Sequence, residues 1–313
     1  MPAEISGKFR HEAAALSHYP AVGDFVMLSL LEANTGSAVI HRILKRRSVF
    51  SRRAVGLENQ TQIVATNIDI VFICMSLNND YNLSRLEHYL SVAFNSCALP
   101  VIILTKSDLC DNLPDILNEI SMIASGVDVI SASINDPASC DGLRIYLKPG
   151  VTASFIGSSG VGKSTLINLL AAKEVQRTSH VGQNDKGMHT TTHRELLLLP
   201  QGGIVIDTPG MRELGVESGE LSHTFADIEA LAVQCRFHDC THDTEPGCAV
   251  KQALEAATLD ERRWANYQKL KREARYQGLS SRQLETDKLD RMFESVGGMK
   301  KAKDCIRKND KRR

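Results

Sequence analysis

Apolar positions change their spacing twice along the chain. Over residues 1–62 they come in short runs cut by turn formers. Residues 24–30 follow Pro20 and Gly23, and residues 37–44 follow Asn34-Thr35-Gly36. Such runs predict short β-strands in a small barrel. From residue 63 the runs lengthen. Residues 68–74 form an apolar stretch of buried-strand length, and Leu83, Leu86, Leu90 and Phe94 then recur at helical spacing. Residues 100–104, 127–130, 151–156 and 203–207 predict further strands, and 115–124 and 165–172 further helices. Strands alternating with helices predict an α/β domain, with a parallel sheet covered on both faces. Beyond residue 220 the strand-like runs stop, and 254–293 is rich in helix formers and charge. The expected division is 1–62, 63–221 and 222–313, with no long linker between the parts.

Composition adds limits. A chain of 313 residues holds about two or three domains. Apolar content of 42% and aromatic content of 5% are ordinary for a soluble globular protein. Lys+Arg and Asp+Glu are both 37, so net charge points to no polyanionic partner. Distribution is more informative. Lys45-Arg46-Arg47 and Arg52-Arg53 sit beside the short strands, and the tail carries Lys300, Lys301, Lys303, Arg307, Lys308, Lys311, Arg312 and Arg313 against Asp304 and Asp310. These are either solvated charges or contacts to RNA phosphates. No run reaches the roughly 18 apolar residues needed to span a membrane, and the first twelve residues are too polar for a signal peptide. A cytoplasmic location is expected, where eight Cys argue against a disulfide framework.

The chemistry concentrates in the middle of the chain. Gly157-Ser158-Ser159-Gly160-Val161-Gly162-Lys163-Ser164-Thr165 lies between a predicted strand and a predicted helix, the context that marks a phosphate-binding loop. Its glycines let successive N–H groups face one anion, and the helix N-terminus adds positive potential. Lys163 is placed to reach the β- and γ-phosphates and Ser164 to ligate Mg²⁺. Asp207-Thr208-Pro209-Gly210 ends a later strand: Asp207 can hold the Mg²⁺ water shell, and the Gly210 N–H can meet a γ-phosphate. His189-Thr190-Thr191-Thr192 lies between these two segments, where Thr190 or Thr191 can offer a hydroxyl to Mg²⁺. Thr105-Lys106-Ser107-Asp108 caps the strand at 100–104. Asp108 can accept both guanine N1–H and N2–H, a donor pair adenine lacks, while the Lys106 stem lies along the base. Ser131-Ala132 places a backbone N–H for guanine O6. Met211 follows Gly210, where Ras-like switches use a Gln to orient water; His189 is the nearest replacement by sequence, and a loop histidine without a role is the other reading.

A second cluster lies at Cys235-Arg236-Phe237-His238-Asp239-Cys240-Thr241-His242 and Cys248. Three soft sulfur ligands and one imidazole suit tetrahedral Zn²⁺ with no open position, hence a structural site. His238 and His242 compete for the fourth place.

With these residues in view, the chain resembles the RsgA (YjeQ/YloQ) family of small-subunit GTPases. The likeness rests on Pro20-Ala21-Val22-Gly23-Asp24, Gly187-Met188-His189-Thr190-Thr191, Asp207-Thr208-Pro209-Gly210, Glu245-Pro246-Gly247-Cys248-Ala249-Val250, and a guanine segment that precedes the phosphate loop. It implies an N-terminal OB-fold, a circularly permuted GTPase and a zinc-binding helical domain, acting late in 30S maturation. It also implies Cys235, Cys240, His242 and Cys248 as zinc ligands and His189 as the water-activating residue. Thr105 departs from the usual Asn, and Ala3–Lys8 aligns with mid-barrel, so two OB strands are expected to be missing. The expected partners are GTP or GDP with Mg²⁺, the 30S subunit and its 16S rRNA, with neither membrane nor DNA. The chain is expected to act as a monomer. The rival reading is a P-loop hydrolase with a purely structural zinc module and no ribosomal role.

Overall fold

The computed structural model describes residues 1–30, 37–53, 61–78, 80–172, 195–207 and 221–276, together with Gln283 and Thr286 as isolated helical positions. The N-terminal part contains β1 (Ala3–Ile5), α1 (Gly7–Glu12), β2 (Val26–Leu30), β3 (Ala38–Ile43), β4 (Val49–Arg53) and β5 (Thr61–Thr66). Helix α1 starts at Ser6, whose Oγ accepts the Phe9 N–H at 3.1 Å. β1 runs parallel to β3 and β2 antiparallel to it, with a bulge at Met27/Leu28; β4 and β5 form a separate antiparallel pair. Among the described residues no ladder joins these two sheets into a barrel. The expected short strands are present, and β5 runs across the expected join at 62/63. A buried ion pair ties the region together instead. Asp24 accepts Arg46 Nε and Nη2, both at 2.8 Å, Thr66 Oγ1 at 2.8 Å and the Ala21 N–H at 2.8 Å.

The central sheet is built from β6 (Ile70–Ser76), β7 (Leu99–Thr105), β8 (Asp128–Ala132), β9 (Thr152–Gly157), β10 (Glu195–Leu198) and β11 (Ile204–Asp207), in the order β10-β11-β9-β6-β7-β8. Only β10 is antiparallel, at one edge. All of β6 is buried, as a strand covered on both faces must be. Its residues alternate between two cores: Val71, Ile73 and Met75 face one, Ile70, Phe72 and Cys74 the other. The first core is closed by α2 (Leu83–Asn95) and α3 (Leu113–Ile123), the second by α4 (Asp141–Arg144) and α5 (Lys163–Ala171).

Three helices follow: α6 (Ala226–Ala232), α7 (Ala249–Glu255) and α8 (Glu261–Tyr276). They pack on the α2 face, where Phe225, Ile228, Tyr267 and Leu270 join the first core. A charged cluster lies within this contact. Glu87 of α2 is fully buried and accepts Arg263 Nη1 at 2.8 Å, Arg262 Nη1 and Nη2 at 3.2 and 3.3 Å, and Asn266 Nδ2 at 2.5 Å. Arg263 also donates to both oxygens of Asp227, at 2.6 and 2.8 Å, and to the Thr224 carbonyl at 2.8 Å. The seven cysteines described are free thiols. No described helix is long and apolar enough to cross a membrane.

Candidate functional site

Parallel strands deliver their following loops to one edge of the sheet, and the strand order decides which loops meet. β9 sits at the centre and ends at Gly157, which starts the phosphate loop. Gly157 has φ +144°, and a Cβ there would lie 2.4 Å from the Cys74 carbonyl, so only Gly allows the loop to leave the strand against β6. Gly162 has φ +101° and leads directly into α5. Ser164 and Thr165 occupy the first turn of that helix, where backbone N–H groups lack intrahelical acceptors. Lys163 Nζ folds back over the loop and donates to the carbonyls of Gly157 at 2.8 Å and Ser158 at 2.6 Å. The Ser158 hydroxyl accepts from Arg85 at the start of α2, and Arg85 is paired with Asp80 at 2.6 Å. Arg85 had no sequence signal, because its partner lies far away along the chain.

Two strands away, β7 ends at Thr105. Its buried hydroxyl donates to the carbonyl of Val161 in the phosphate loop at 2.6 Å and to that of Met75 at 3.4 Å. The residue that departs from Asn therefore still links the 105–108 segment to the loop. Lys106 adopts a left-handed conformation, φ 56°, which turns Ser107 and Asp108 outward. Asp108 is exposed; Oδ1 accepts the Ser133 hydroxyl at 2.5 Å and Oδ2 the Asn135 amide at 2.9 Å. The Ser133 bond, aided by Asn135, holds its carboxyl below the ordinary value. Ser131 and Ala132 form the last residues of β8, in register with Leu104 and Thr105. Asp207 ends β11, beside β9, and is buried. Together these place Gly157–Thr165, Thr105, Lys106, Asp108, Ser131, Ala132 and Asp207 along one rim. Gly210, Met211, His189, Thr190 and Thr191 lie outside the described residues.

The cysteine cluster assembles in the turns around α6 and α7. The ligand atoms of Cys235, Cys240, His242 and Cys248 lie within 4.8 Å of one another. Cys235 Sγ is 3.9 Å from Cys248 Sγ, and His242 Nδ1 is 3.6 and 3.4 Å from Cys235 and Cys248. Tetrahedral zinc with its usual bond lengths places sulfurs about 3.8 Å apart and sulfur and nitrogen about 3.6 Å apart. The donor set and its spacing fit that ion. His242, rather than His238, is in the group. Burial keeps its imidazole below its ordinary pKa, in the neutral form a metal needs. Trp264 of α8 meets the His242 ring edge-on at 5.5 Å, and the Glu245 carboxylate closes the turn by accepting the N–H groups of Thr241, Asp243 and Thr244 at 2.9, 3.0 and 3.1 Å.

Comparison with known proteins agrees with this arrangement. The family model described as RsgA GTPase matches residues 43–217. A model described as ABC transporter matches residues 140–309, a span that holds the phosphate loop but not the 105–108 segment. Small ribosomal subunit biogenesis GTPase RsgA 2 of Lactiplantibacillus plantarum is 51% identical over 96% of this chain and 85% of its own length. The RsgA of Opitutus terrae is 47% identical over 88% and 78%. Among solved structures, YjeQ from Thermotoga maritima superposes with a TM-score of 0.62 at 29% identity, over 87% of this chain and 89% of that one. YloQ, described as a circularly permuted GTPase, gives 0.58 at 26% identity, over 82% and 81%. The phosphate loop placed after the 105–108 segment, the cysteine cluster and these likenesses lead to one conclusion: the chain is a GTP-hydrolysing enzyme and belongs to the RsgA GTPase family.

Proposed function

We propose that this protein binds the small ribosomal subunit and assists its late maturation, hydrolysing GTP at a rate the subunit stimulates. The observation that carries the ribosomal reading is the 51% and 47% identity to relatives over most of the chain, and the Thr105–Val161 hydrogen bond supports the nucleotide part by joining the 105–108 segment to the phosphate loop. Those relatives are named for small-subunit biogenesis.

In this reading the N–H groups of residues 157–165 and the start of α5 hold the phosphates, and Lys163 bridges the β- and γ-groups. Asp108 accepts guanine N1–H and N2–H, Lys106 covers the base, and the turn at Ser131-Ala132 meets O6. Ser164 and Thr191 would hold Mg²⁺, which neutralises phosphate charge when bound, with Asp207 on its water shell. Thr190 and Gly210 hold the γ-phosphate. Met211 has no group that can orient water, and His189 takes that role. Cys235, Cys240, His242 and Cys248 would hold Zn²⁺, which when bound fastens a segment too short to build a core of its own. The β-region of residues 1–62 and the helical module of 222–313, with its basic tail, grip 16S rRNA, and the protein acts as a cytoplasmic monomer.

The test is GTP turnover by the full chain with and without 30S subunits. Stimulation is expected; an unchanged rate at saturating 30S sinks the ribosomal role. Displacement of bound GTP by excess ATP would favour the rival, a general P-loop hydrolase.

A further inference from the structure

We propose that Arg85, in the first turn of α2, is a further catalytic residue for GTP hydrolysis, its guanidinium donating to the γ-phosphate as charge develops there. The role rests on residues 157–165 as the phosphate loop.

Three observations carry it. First, Arg85 lies on the loop. Its Nη1 donates to the hydroxyl of Ser158, the second loop residue. Lys163 Nζ donates to the carbonyl of the same residue at 2.6 Å. Helix α2 covers one face of the sheet and α5 the other, so two cations meet at Ser158 from opposite faces. The lysine of such a loop serves the β- and γ-phosphates, which marks this side of the loop as the γ side. The 105–108 segment touches the loop elsewhere, at Val161. Second, Asp80 holds the arginine without using it up. Arg–carboxylate pairs often close with two parallel bonds. Here Nη1 alone meets Asp80 Oδ1, at 2.6 Å, and the Asp80 carbonyl, at 3.5 Å, while Oδ2 is buried and has no partner among the described residues. Nε and Nη2 donate to none of the described residues. A planar fork anchored through one nitrogen and open at the others suits phosphate oxygens. Third, its backbone is fixed and its side chain can be reached. Asn82 Oδ1 caps α2 by accepting the Arg85 N–H at 2.9 Å. The Arg85 side chain is 33% exposed, neither sealed in the core nor free in solvent. A cation held ready in such a place stabilises developing charge more strongly than one that water surrounds.

In the step itself, water adds to the γ-phosphorus as the bond to the β–γ bridging oxygen breaks. The electron pair of that bond stays on GDP, and the water's protons leave with the phosphate. Arg85 transfers no proton; it donates a hydrogen bond to a γ-oxygen.

Single-turnover hydrolysis of Mg²⁺–GTP by the full chain, with GDP affinity measured alongside, tests the role. Arg85→Ala should slow hydrolysis at least about tenfold and leave GDP affinity within about twofold, because GDP has no γ-phosphate. Arg85→Gln keeps a donor for Ser158 but no charge, and should be as slow. A smaller change in either variant overturns the proposal. So does a GDP affinity that falls as far as the rate, which would make Arg85 a brace for the loop. Lys163→Ala separates the levels. If nucleotide binding is untouched there, the phosphate-loop assignment itself falls. If binding weakens there while Arg85→Ala hydrolyses GTP at the parental rate, only the role of Arg85 falls.

Discussion

The Thr105 hydroxyl shows what its position must supply: a donor for the Val161 carbonyl, 2.6 Å away. Val has nearly the same shape but no donor. Thr105→Val should therefore lower stability by about 1–3 kcal/mol, the cost of leaving a buried acceptor unpaired, and weaken GDP binding with it. Thr105→Ser should keep both. Urea denaturation and GDP titration read the two effects, and a Val variant as stable as the parent would show that the bond has no structural role. The residues legible in the sequence share one property: their chemistry is contiguous. The phosphate loop and the cysteine cluster each carry several necessary residue types at fixed spacing. Arg85, Ser133 and Asn135 were not legible, because their partners Ser158 and Asp108 lie 73, 25 and 27 positions away, and a lone Arg, Ser or Asn in a turn has many uses.

At the level of elements, α2 illustrates what periodicity can and cannot reveal. Leu86 and Leu90 were legible as its core face and are fully buried. Glu87 beside them reads as a solvent-facing position, yet it is buried too, because α8 brings Arg262, Arg263 and Asn266 onto it. No local pattern can reveal a partner 176 positions away. Such an ion pair is weak evidence for stability as it stands, but removing one member leaves an uncompensated charge inside. Arg263→Met should cost about 3–5 kcal/mol in chemical denaturation. Lys269→Ala, which breaks an exposed pair with Glu273 on the same helix, should change stability by less than about 0.5 kcal/mol. Similar losses for both would mean that the buried cluster adds nothing special. The edge strand β10 was missed for a different reason: a run at 195–199 is too short to separate strand from helix by period, and its place is fixed by pairing with β11.

Across the whole molecule, the order of segments told more than any one of them: a parallel sheet with the 105–108 segment before the phosphate loop was readable from the chain. The two separate N-terminal sheets were not, since strand pairing depends on non-local register. Two carboxyls paired with arginines, Asp24 in that region and Asp227 in the helical module, contribute to the molecule's response to acid. Burial pushes Asp24 up, but hydrogen bonds from Arg46, the Ala21 N–H and Thr66, with the Arg46 charge, outweigh it and hold the carboxyl below its ordinary value of 3.8. At Asp227 burial is likewise outweighed by Arg263. A carboxyl depressed in the folded state adds stability that is fully present above its unfolded value and is lost as pH falls through the folded one. Urea midpoints should accordingly hold steady down to about pH 5 and fall below about pH 4. The fall should be shallower in Asp24→Asn, which has no proton to take up. A main loss between pH 5 and 7 would instead implicate histidines.

The buried Glu87 has a consequence for how such chains are put together. The helical module that carries the cysteine cluster looks like an appendage, a part that could be added or dropped. Yet the sheet domain keeps a charged side chain whose described partners, Arg262, Arg263 and Asn266, all belong to that appendage. A lineage that lost residues 221–276 would leave Glu87 without its described partners, and one that gained them over an apolar position 87 would leave the buried Arg263 with Asp227 alone and take one of two acidic partners from the half-exposed Arg262. Each step alone carries a cost. The module and one letter of the sheet domain form a single heritable unit, and the boundary between the two parts is not a place where evolution can cut cleanly.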